Sequence, residues 1–435
     1  MGLMSSFWER HQFLMHQCFS LPFAFLFFFL AKRGYLSLTY RYLFVSAGGC
    51  VLAVVTMGVY SSLLFASALV FVLLVVSVDA GRVHAWVFGI QMLWQTFWHL
   101  LIQYREYYLQ EPVSLRLFLA VSSLMLLTQR ITSLSMDLQE RRVRPPAAAA
   151  PQQEARAALL PLVSYILNFT TLLGGPLCPY GRFVSLMTGI SADPPPEPLR
   201  AVFLKLTQVL PMELVRCLLV HLLNACDPSA SGPLWGAAWV LALGAVLRIQ
   251  YYSHWRCSEC LNNAAGLGFW PRCPGDPPGW SGLSDGDFWS VEASSRMSQF
   301  ARRWNATTAS WLRRLVYARC KRFPLLATFS FSLWWHGCHL GHLVGMLTWA
   351  ATVTADRHAH GLIQPKLSPA WRKVYACLSW INTQMNVACI VTAVELRSVS
   401  GLRLLSTTYV GLVPLFNILL LLILLKHNTP LRSTI

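Results

Sequence analysis

Charged residues are scarce in this chain of 435 residues, and acidic residues are the scarcest of them. Asp, Glu, Lys and Arg make up only 12% of the sequence, with 18 acids against 35 Lys and Arg, and no acid lies between Glu292 and Asp356. Soluble domains carry roughly twice that charged fraction, so an ordinary soluble domain is excluded. The net charge of +17 is spread over the segments between apolar runs. That distribution is typical of membrane orientation and argues against nucleic-acid binding.

Internal repeats and a complete set of metal ligands are also missing. Many transporters carry such repeats, and we find none in this sequence. His254, Cys257, Cys260 and Cys273 form a loose cluster, in which Cys257 and Cys260 have the spacing of a zinc knuckle. A second close pair is absent and the spacing to Cys273 is irregular. We therefore interpret these residues as chance loop cysteines rather than as a metal site.

Long apolar runs are what the chain has in abundance, because 55% of its residues are hydrophobic. A membrane-spanning helix needs about 20 such residues. We predict an all-α polytopic membrane protein forming one integral domain over 1–435. Its parts are N-terminal spans in 1–134, a cytoplasmic Ala/Pro-rich linker in 135–160 and a core with the candidate catalytic residues in 161–435. The expected spans are 13–31, 40–60, 63–79, 84–103, 116–134, 201–226, 233–252, two short ones within 323–355, 374–394 and 404–425.

The topology follows from where the cations lie, since Lys and Arg concentrate in cytoplasmic loops. Residues 296–322 hold eight Lys or Arg and no acid, so they are expected in the cytoplasm. That placement requires the run 161–178 not to cross. This run contains Asn168 and is interrupted by Gly174-Gly175-Pro176, so we predict a re-entrant element there. The total is eleven spans plus one re-entrant element around an intramembrane cavity. Asn305 is then cytoplasmic, and His336 lies far across the membrane from it.

His336 stands out because it follows two tryptophans inside the apolar run Phe323–Ala355. An ionisable side chain at membrane depth is costly and indicates a functional site, although a structural histidine bonded to a backbone carbonyl is the open alternative. Upstream, Asn305 lies in a basic, Trp-rich stretch. That stretch would also serve as an orientation anchor or an interfacial helix. Asn305-Ala306-Thr307 matches a glycosylation sequon, but the expected cytoplasmic location predicts no glycan.

Two motifs in order make the chain similar to the membrane-bound O-acyltransferase family. That family pairs an Asn in a Trp-Asn…Trp-Leu-Arg-Arg stretch with a His in a Trp-His-Gly stretch. Here these are Trp304-Asn305, Trp311–Arg314 and Trp335–Gly337, with 31 residues from the Asn to the His. The resemblance implies a polytopic enzyme that transfers an acyl group from acyl-CoA to a hydroxyl.

Other stretches narrow the resemblance to members that acylate a peptide hormone. The stretches that carry it are Tyr40–Phe44, Gln91–Thr96, Ser122–Arg130, Tyr251–Trp255 and the doubled Trp before His336. They imply an endoplasmic-reticulum enzyme that moves a medium-chain acyl group, typically octanoyl, to a serine hydroxyl of a hormone precursor. The linker 143–158 and the loop 257–283 depart from that pattern, which leaves loop geometry open.

Each candidate residue then has an expected role. A neutral imidazole at His336 is suited to take the serine proton, and the amide of Asn305 to polarise the carbonyl or position the substrate. Arginines suit the phosphates of CoA, and aromatic side chains an apolar bore for the acyl chain. The predicted CoA-binding residues are Arg302, Arg303, Arg313 and Arg314, and the bore residues are Phe329, Phe331, Trp334, Trp335 and Trp349.

No metal or redox cofactor is expected, because acyl-CoA is an activated co-substrate and the CoA thiolate leaves easily. Two rival functions stay open. A lysophospholipid acyltransferase of the same family would share the Asn and His motifs, so those motifs do not separate the two. A transporter or channel with an intramembrane His is the other rival, although the basic stretch and the Asn–His pair have no role in an ion pathway.

Overall fold

The computed structural model of the chain describes residues 2–143, 152–226, 232–271, 279–397 and 399–426. The regular secondary structure in this part is helical, and one isolated bridge joins Trp270 to Gly279. The all-α prediction is confirmed. The helices are α1 (Gly2–Lys32), α2 (Leu38–Met57), α3 (Ser62–Ser77), α4 (Val83–Gln103), α5 (Leu115–Gln139), α6 (Gln152–Ile166), α7 (Tyr180–Gly189), α8 (Leu199–Ala225), α9 (Pro233–Ala264), α10 (Phe288–Glu292), α11 (Met297–Arg303), α12 (Ala306–Leu312), α13 (Pro324–His336), α14 (Leu340–Ile363), α15 (Pro369–Leu396), α16 (Val399–Thr407) and α17 (Leu412–Lys426).

Six described helical stretches are long and apolar enough to cross a membrane. They are Leu14–Lys32, Leu38–Ser77, Leu115–Gln139, Leu199–Ala225, Pro233–Ala264 and Pro369–Leu396. The pair α16 and α17 makes a seventh only if it counts as one span bent by 86°. The predicted span 404–425 therefore contains a sharp bend that its hydropathy does not reveal. The polytopic class is confirmed, and the count of eleven spans stays a prediction.

The chain divides into two compact units, whose borders fall inside α8 and α9. The first unit holds 1–209 and 254–284, and the second holds 210–253 and 285–435. Helix α5 is central to the first unit, where it contacts α2, α3, α4 and α6. The predicted single domain over 1–435 stays a prediction. Arg144, Pro145, Pro146 and the alanine run from Ala147, in the predicted linker, lie outside the described residues.

The run 161–178 does not form a helix of membrane-spanning length. Helix α6 ends at Ile166, a 3-10 turn covers Phe169–Thr171, and residues 172–179 are irregular. Gly175 has φ +102°, a conformation that other residues rarely adopt. The break predicted from Gly174-Gly175-Pro176 is present, although the re-entrant path itself stays a prediction.

Helix α9 is longer than its hydropathy predicts. The expected span ends at 252, yet the helix continues to Ala264 and carries Cys257 and Cys260, which are buried. The polar residues that lower the hydropathy of this last part are paired: Glu259 accepts from Lys205 and Arg256. Cys257 and Cys260 are therefore helical rather than loop cysteines. Cys273 lies outside the described residues, among which no cluster of His, Cys, Asp or Glu is arranged to hold a metal ion.

The second unit is organised around α14, which contacts α11, α13, α15, α16 and α17. Its first turn lies unusually close to the end of α15. A Cβ at Gly341 would be 2.1 Å from the carbonyl oxygen of Ala393, and the Gly341 N–H donates to the carbonyl of Arg397 at 3.0 Å. This close approach fixes the segment that follows His336.

Candidate active site

Asn305 lies in a tight turn between α11 and α12. Its backbone is left-handed, with φ +47° and ψ +56°, a region that Asn tolerates better than most residues. The side chain is half-buried and does not cap α12. Its amide is therefore not used by the helix that it precedes.

Asp285 holds this turn from a preceding loop. The Ala306 N–H donates to the Asp285 carbonyl at 2.7 Å, and the Thr307 hydroxyl donates to the Asp285 carboxylate. Asp285 is only 3% exposed, so both bonds are shielded from water. The sequence gives no signal for this residue, because it lies in a polar Gly/Ser/Asp loop. Asp285 sets the backbone on which Asn305 is presented.

Trp304 anchors the other side of the turn. Its ring stacks on Phe300, with centroids 5.5 Å apart, and meets Tyr251 and Tyr252 edge-on at 5.5 and 5.6 Å. The Tyr252 hydroxyl donates to Glu292 at 2.8 Å. Aromatic packing thus connects the turn at Asn305 to α9.

Glu292, which accepts from Tyr252, also accepts hydrogen bonds from three other side chains. Arg248 donates from Nε at 2.8 Å and from Nη2 at 3.2 Å to its carboxylate. Its backbone carbonyl accepts from Trp380 Nε1 at 2.8 Å and from Gln384 at 3.0 Å. These bonds join α9, α10 and α15 below the site. The sequence shows the residues but not the pairing, since 44 positions separate Arg248 from Glu292.

His336 is the last residue of α13, and Gly337 ends the helix with φ +90°. The imidazole lies against Trp335 at 4.7 Å and stacks on His342 at 5.9 Å, with 14° between the ring planes. His339 lies 5.4 Å from His342. His336 is half-buried rather than fully buried, so it is reachable by a substrate. The break falls at 337–339, close to the turn predicted near His339–His342.

Trp311 connects the two candidate catalytic residues. Its ring lies 5.8 Å from Phe331 and 5.2 Å from Trp335, while α13 packs against the π-helical segment Arg313–Tyr317. Trp311 therefore lies against α13 beside His336, and the segment after α12 packs on the same helix. Along the chain, Asn305 lies six residues before Trp311, and His336 directly follows Trp335. The wide separation of Asn305 and His336 across the membrane stays a prediction.

The four predicted CoA-binding arginines fall into two pairs on either side of Asn305. Arg302 and Arg303 end α11, and both are exposed, but Arg303 Nη1 already donates to the Ser290 carbonyl at 2.7 Å and to Ser294 at 3.1 Å. Arg313 is exposed and Arg314 is half-buried, both in the π-helical segment. The first pair thus ends α11 before Asn305, and the second pair follows α12.

The five predicted bore residues separate into different surroundings. Phe329 packs on Trp349 at 5.6 Å, and Trp349 lies 6.2 Å from Phe300. Phe331 and Trp335 pack on Trp311 of α12 instead. Trp334 is 37% exposed and meets Phe331 edge-on, with ring centroids 6.0 Å apart. Phe329 and Trp349 are thus connected through Phe300 to Trp304, which precedes Asn305.

A family model for the membrane-bound O-acyltransferase family, MBOAT, matches residues 103–392, which include all of these residues. The chain belongs to the membrane-bound O-acyltransferase family. It is 40% identical to membrane-bound ghrelin O-acyltransferase MBOAT4 of Mus musculus, covering 96% of this chain and 97% of that protein. The Rattus norvegicus protein of the same name is 37% identical over 97% of this chain and 98% of its own length.

Membership of this family makes the chain an acyltransferase of the membrane. Relatives with another acceptor in their names are less similar. Membrane-bound glycerophospholipid O-acyltransferase 2 of Mus musculus is 27% identical, over 72% of this chain and 65% of that protein. Membrane-bound glycerophospholipid O-acyltransferase 1 of Homo sapiens matches 88% of this chain and 82% of its own length, but is only 25% identical. The identity, rather than the share of the chain that is matched, separates the two kinds of relative.

Proposed function

We propose that this chain transfers a medium-chain acyl group, octanoyl, from acyl-CoA to a serine hydroxyl of the ghrelin precursor peptide, in the membrane of the endoplasmic reticulum. The observation that carries the proposal is the similarity over nearly the whole length to two proteins named ghrelin O-acyltransferase. The matches to glycerophospholipid acyltransferases are lower in identity, at 27% and 25%. A lysophospholipid acceptor is the alternative.

His336 acts as the general base in this proposal. The serine oxygen forms a bond to the thioester carbonyl carbon while the imidazole takes the hydroxyl proton, and the C–S bond then breaks to release the CoA thiolate. Positioned proton transfer of this kind contributes about 10²–10⁴-fold to a rate. The half-buried ring at a helix end, packed between Trp335 and His342, is both held in place and reachable.

Asn305 hydrogen-bonds without carrying charge, which suits an amide that stabilises the developing oxyanion or orients the acyl-CoA. The left-handed turn and the bonds to Asp285 support this role, because they fix its backbone before a substrate arrives. Fixed donors cost no reorganisation during reaction.

The acyl donor approaches from the basic side in this proposal. Arg302 and Arg313 are exposed on either side of Asn305 and would bind CoA phosphates. Phe329 and Trp349 would form the apolar wall that meets the acyl chain. The peptide enters from the lumen. The reaction needs no metal or redox cofactor, since the thioester supplies the activation.

The acceptor is tested with purified full-length protein and labelled octanoyl-CoA. Separate reactions contain a ghrelin-like peptide, the same peptide with its acceptor serine replaced by alanine, or a lysophospholipid. Label on the serine peptide alone supports the proposal. Label on the lysophospholipid alone supports the alternative.

A further inference from the structure

Two buried arginines in the first unit differ in how many of their hydrogen-bond donors have an acceptor. Arg41, in the first turn of α2, uses all three nitrogens: it donates to the Leu36 carbonyl at 3.0 Å, the Met187 carbonyl at 2.7 Å and the Ser191 hydroxyl at 2.8 Å. Arg130, in the interior of α5, does not. Arg130 is not among the residues proposed to bind or transfer the acyl group.

Arg130 is 3% exposed and makes one hydrogen bond, from Nη1 to the Thr171 hydroxyl at 2.9 Å. Its Nε and Nη2 atoms are buried and have no acceptor among the described residues. Within those same ranges no carboxylate pairs with it. Arginine keeps its proton in proteins, so this is a buried positive charge with two donors left over.

A small cavity lies beside this guanidinium. Arg130, Gln129 and Leu126 line it from α5, and Thr171, Gly175 and Pro176 line it from the broken segment. The volume of the cavity is about 10 Å³, which is roughly what one ligand the size of a water molecule requires. The irregular backbone at 172–179 thus borders the cavity, as broken segments at membrane depth are expected to do.

A water molecule fits the volume but does not balance the charge. An unpaired ion is costly inside a protein and in the membrane, and its cost falls when an opposite charge occupies the site. Arg130 also lies nine residues, or about 14 Å, from the end of α5, so its side chain does not reach bulk water at that helix end. Arg41, at the start of its helix, avoids this problem.

We propose that Arg130 and the broken segment form a binding site for one small anionic atom, either a free halide ion or a single oxygen of an anionic lipid headgroup. The anion accepts from Nε and Nη2. It bridges α5 to the segment 172–179 and so stabilises the fold of the first unit. The site goes beyond the proposed acyl transfer, since its residues are not among those that bind or transform the acyl group.

The test follows the thermal midpoint of the purified full-length protein by intrinsic tryptophan fluorescence. In sodium gluconate of constant ionic strength, bromide or chloride replaces part of the gluconate, which is too large for the cavity. A second arm compares nanodiscs of neutral lipid with nanodiscs that also contain phosphatidate. A ligand at hundredfold excess over its Kd is expected to raise the midpoint by roughly 2 °C or more.

Three variants decide the outcome. Arg130→Gln removes the charge, Leu126→Phe fills the cavity while keeping Arg130, and Arg41→Gln removes the fully bonded arginine as a matched control. A saturable rise with halide in the wild type and in Arg41→Gln, but not in the other two, supports the free ion. A rise only with phosphatidate and the same pattern among variants supports the headgroup oxygen. If Arg130→Gln does not fold, Leu126→Phe decides. No rise in the wild type in either arm, or an equal rise in a folded Arg130→Gln or in Leu126→Phe, overturns the site.

Discussion

Asn305 and His336 both lie where a helix is interrupted, and the two interruptions are held by different forces. The turn at Asn305 is left-handed in a residue that carries a Cβ, and a buried carboxylate from a distant loop fixes it. The break at His336 uses Gly337 for the positive φ, and aromatic packing holds the imidazole. The position of the Asn305 amide therefore depends on polar bonds and a strained backbone, whereas the position of the His336 imidazole depends on aromatic packing.

The largest effect is expected at His336. Replacing it with alanine should lower kcat by about 10²–10⁴-fold, because the general base is lost, while the thermal midpoint changes little since Gly337 still ends α13. Turnover of octanoyl-CoA and peptide gives the rate. His221→Ala, at an exposed position of α8, is the control and should retain activity. Wild-type turnover by folded His336→Ala protein would remove the base from the mechanism.

The next largest effect is expected at Asn305, where two substitutions separate the amide from the backbone. Asn305→Gly and Asn305→Ala should each lower kcat by about 10²–10³-fold, as loss of an oxyanion donor does. Only alanine should also lower the thermal midpoint, because alanine tolerates a left-handed backbone less well than asparagine or glycine does. If the glycine variant keeps full activity, the amide has no catalytic role.

The sequon at Asn305 provides a separate check on its surroundings. We expect no glycan there, because the turn lies between basic segments that are predicted to be cytoplasmic. Glycosidase treatment should leave the mobility of the protein unchanged. A mobility shift that is present in the wild type and absent in Asn305→Gly would contradict the predicted topology.

Substitution of Asp285 should have a smaller effect on kcat, because Asp285 acts only by positioning Asn305. Asp285→Ala loses the acceptor for Thr307, which costs about 1–3 kcal/mol for a buried bond. We expect a roughly tenfold fall in kcat with an unchanged KM for acyl-CoA, and partial recovery in Asp285→Asn, which keeps an acceptor oxygen. Asp287→Ala, at an exposed residue that caps α10, is the matched control. Equal losses in both variants would show that the loop matters only for folding.

The smallest effects are expected in the aromatic side chains around the donor. Phe329→Ala and Trp349→Ala should reduce octanoyl transfer while sparing or raising transfer of longer acyl groups, since a methylene in an apolar slot is worth only about 1–3 kcal/mol and length selection needs a wall. Mixed acyl-CoA competition measures the preference. Trp371→Ala, which is exposed on α15, should leave it unchanged. A uniform loss for every donor would indicate packing rather than selection.

The sequence predicts the helical class, the break at Gly174–Pro176 and the interruption after His336, because apolar runs and glycines carry these features locally. It does not predict that α9 continues to Ala264, since the polar side chains there are paired with residues far along the chain. The role of Asp285 is missed for the same reason, because its partner Thr307 lies 22 residues away in the first turn of α12. The contact of Trp311 with Trp335, beside His336, is also missed, because no periodicity in the sequence shows it.

The most direct measurement is a competition in one reaction. Purified wild-type protein and His336→Ala are given octanoyl-CoA with equal amounts of a ghrelin-like peptide and a lysophospholipid, and mass spectrometry counts the octanoyl esters on each acceptor. We predict that the wild type esterifies the peptide serine and leaves the lysophospholipid unchanged, and that His336→Ala modifies neither. Predominant acylation of the lipid, or a peptide ester formed equally well by the folded variant, would contradict the account.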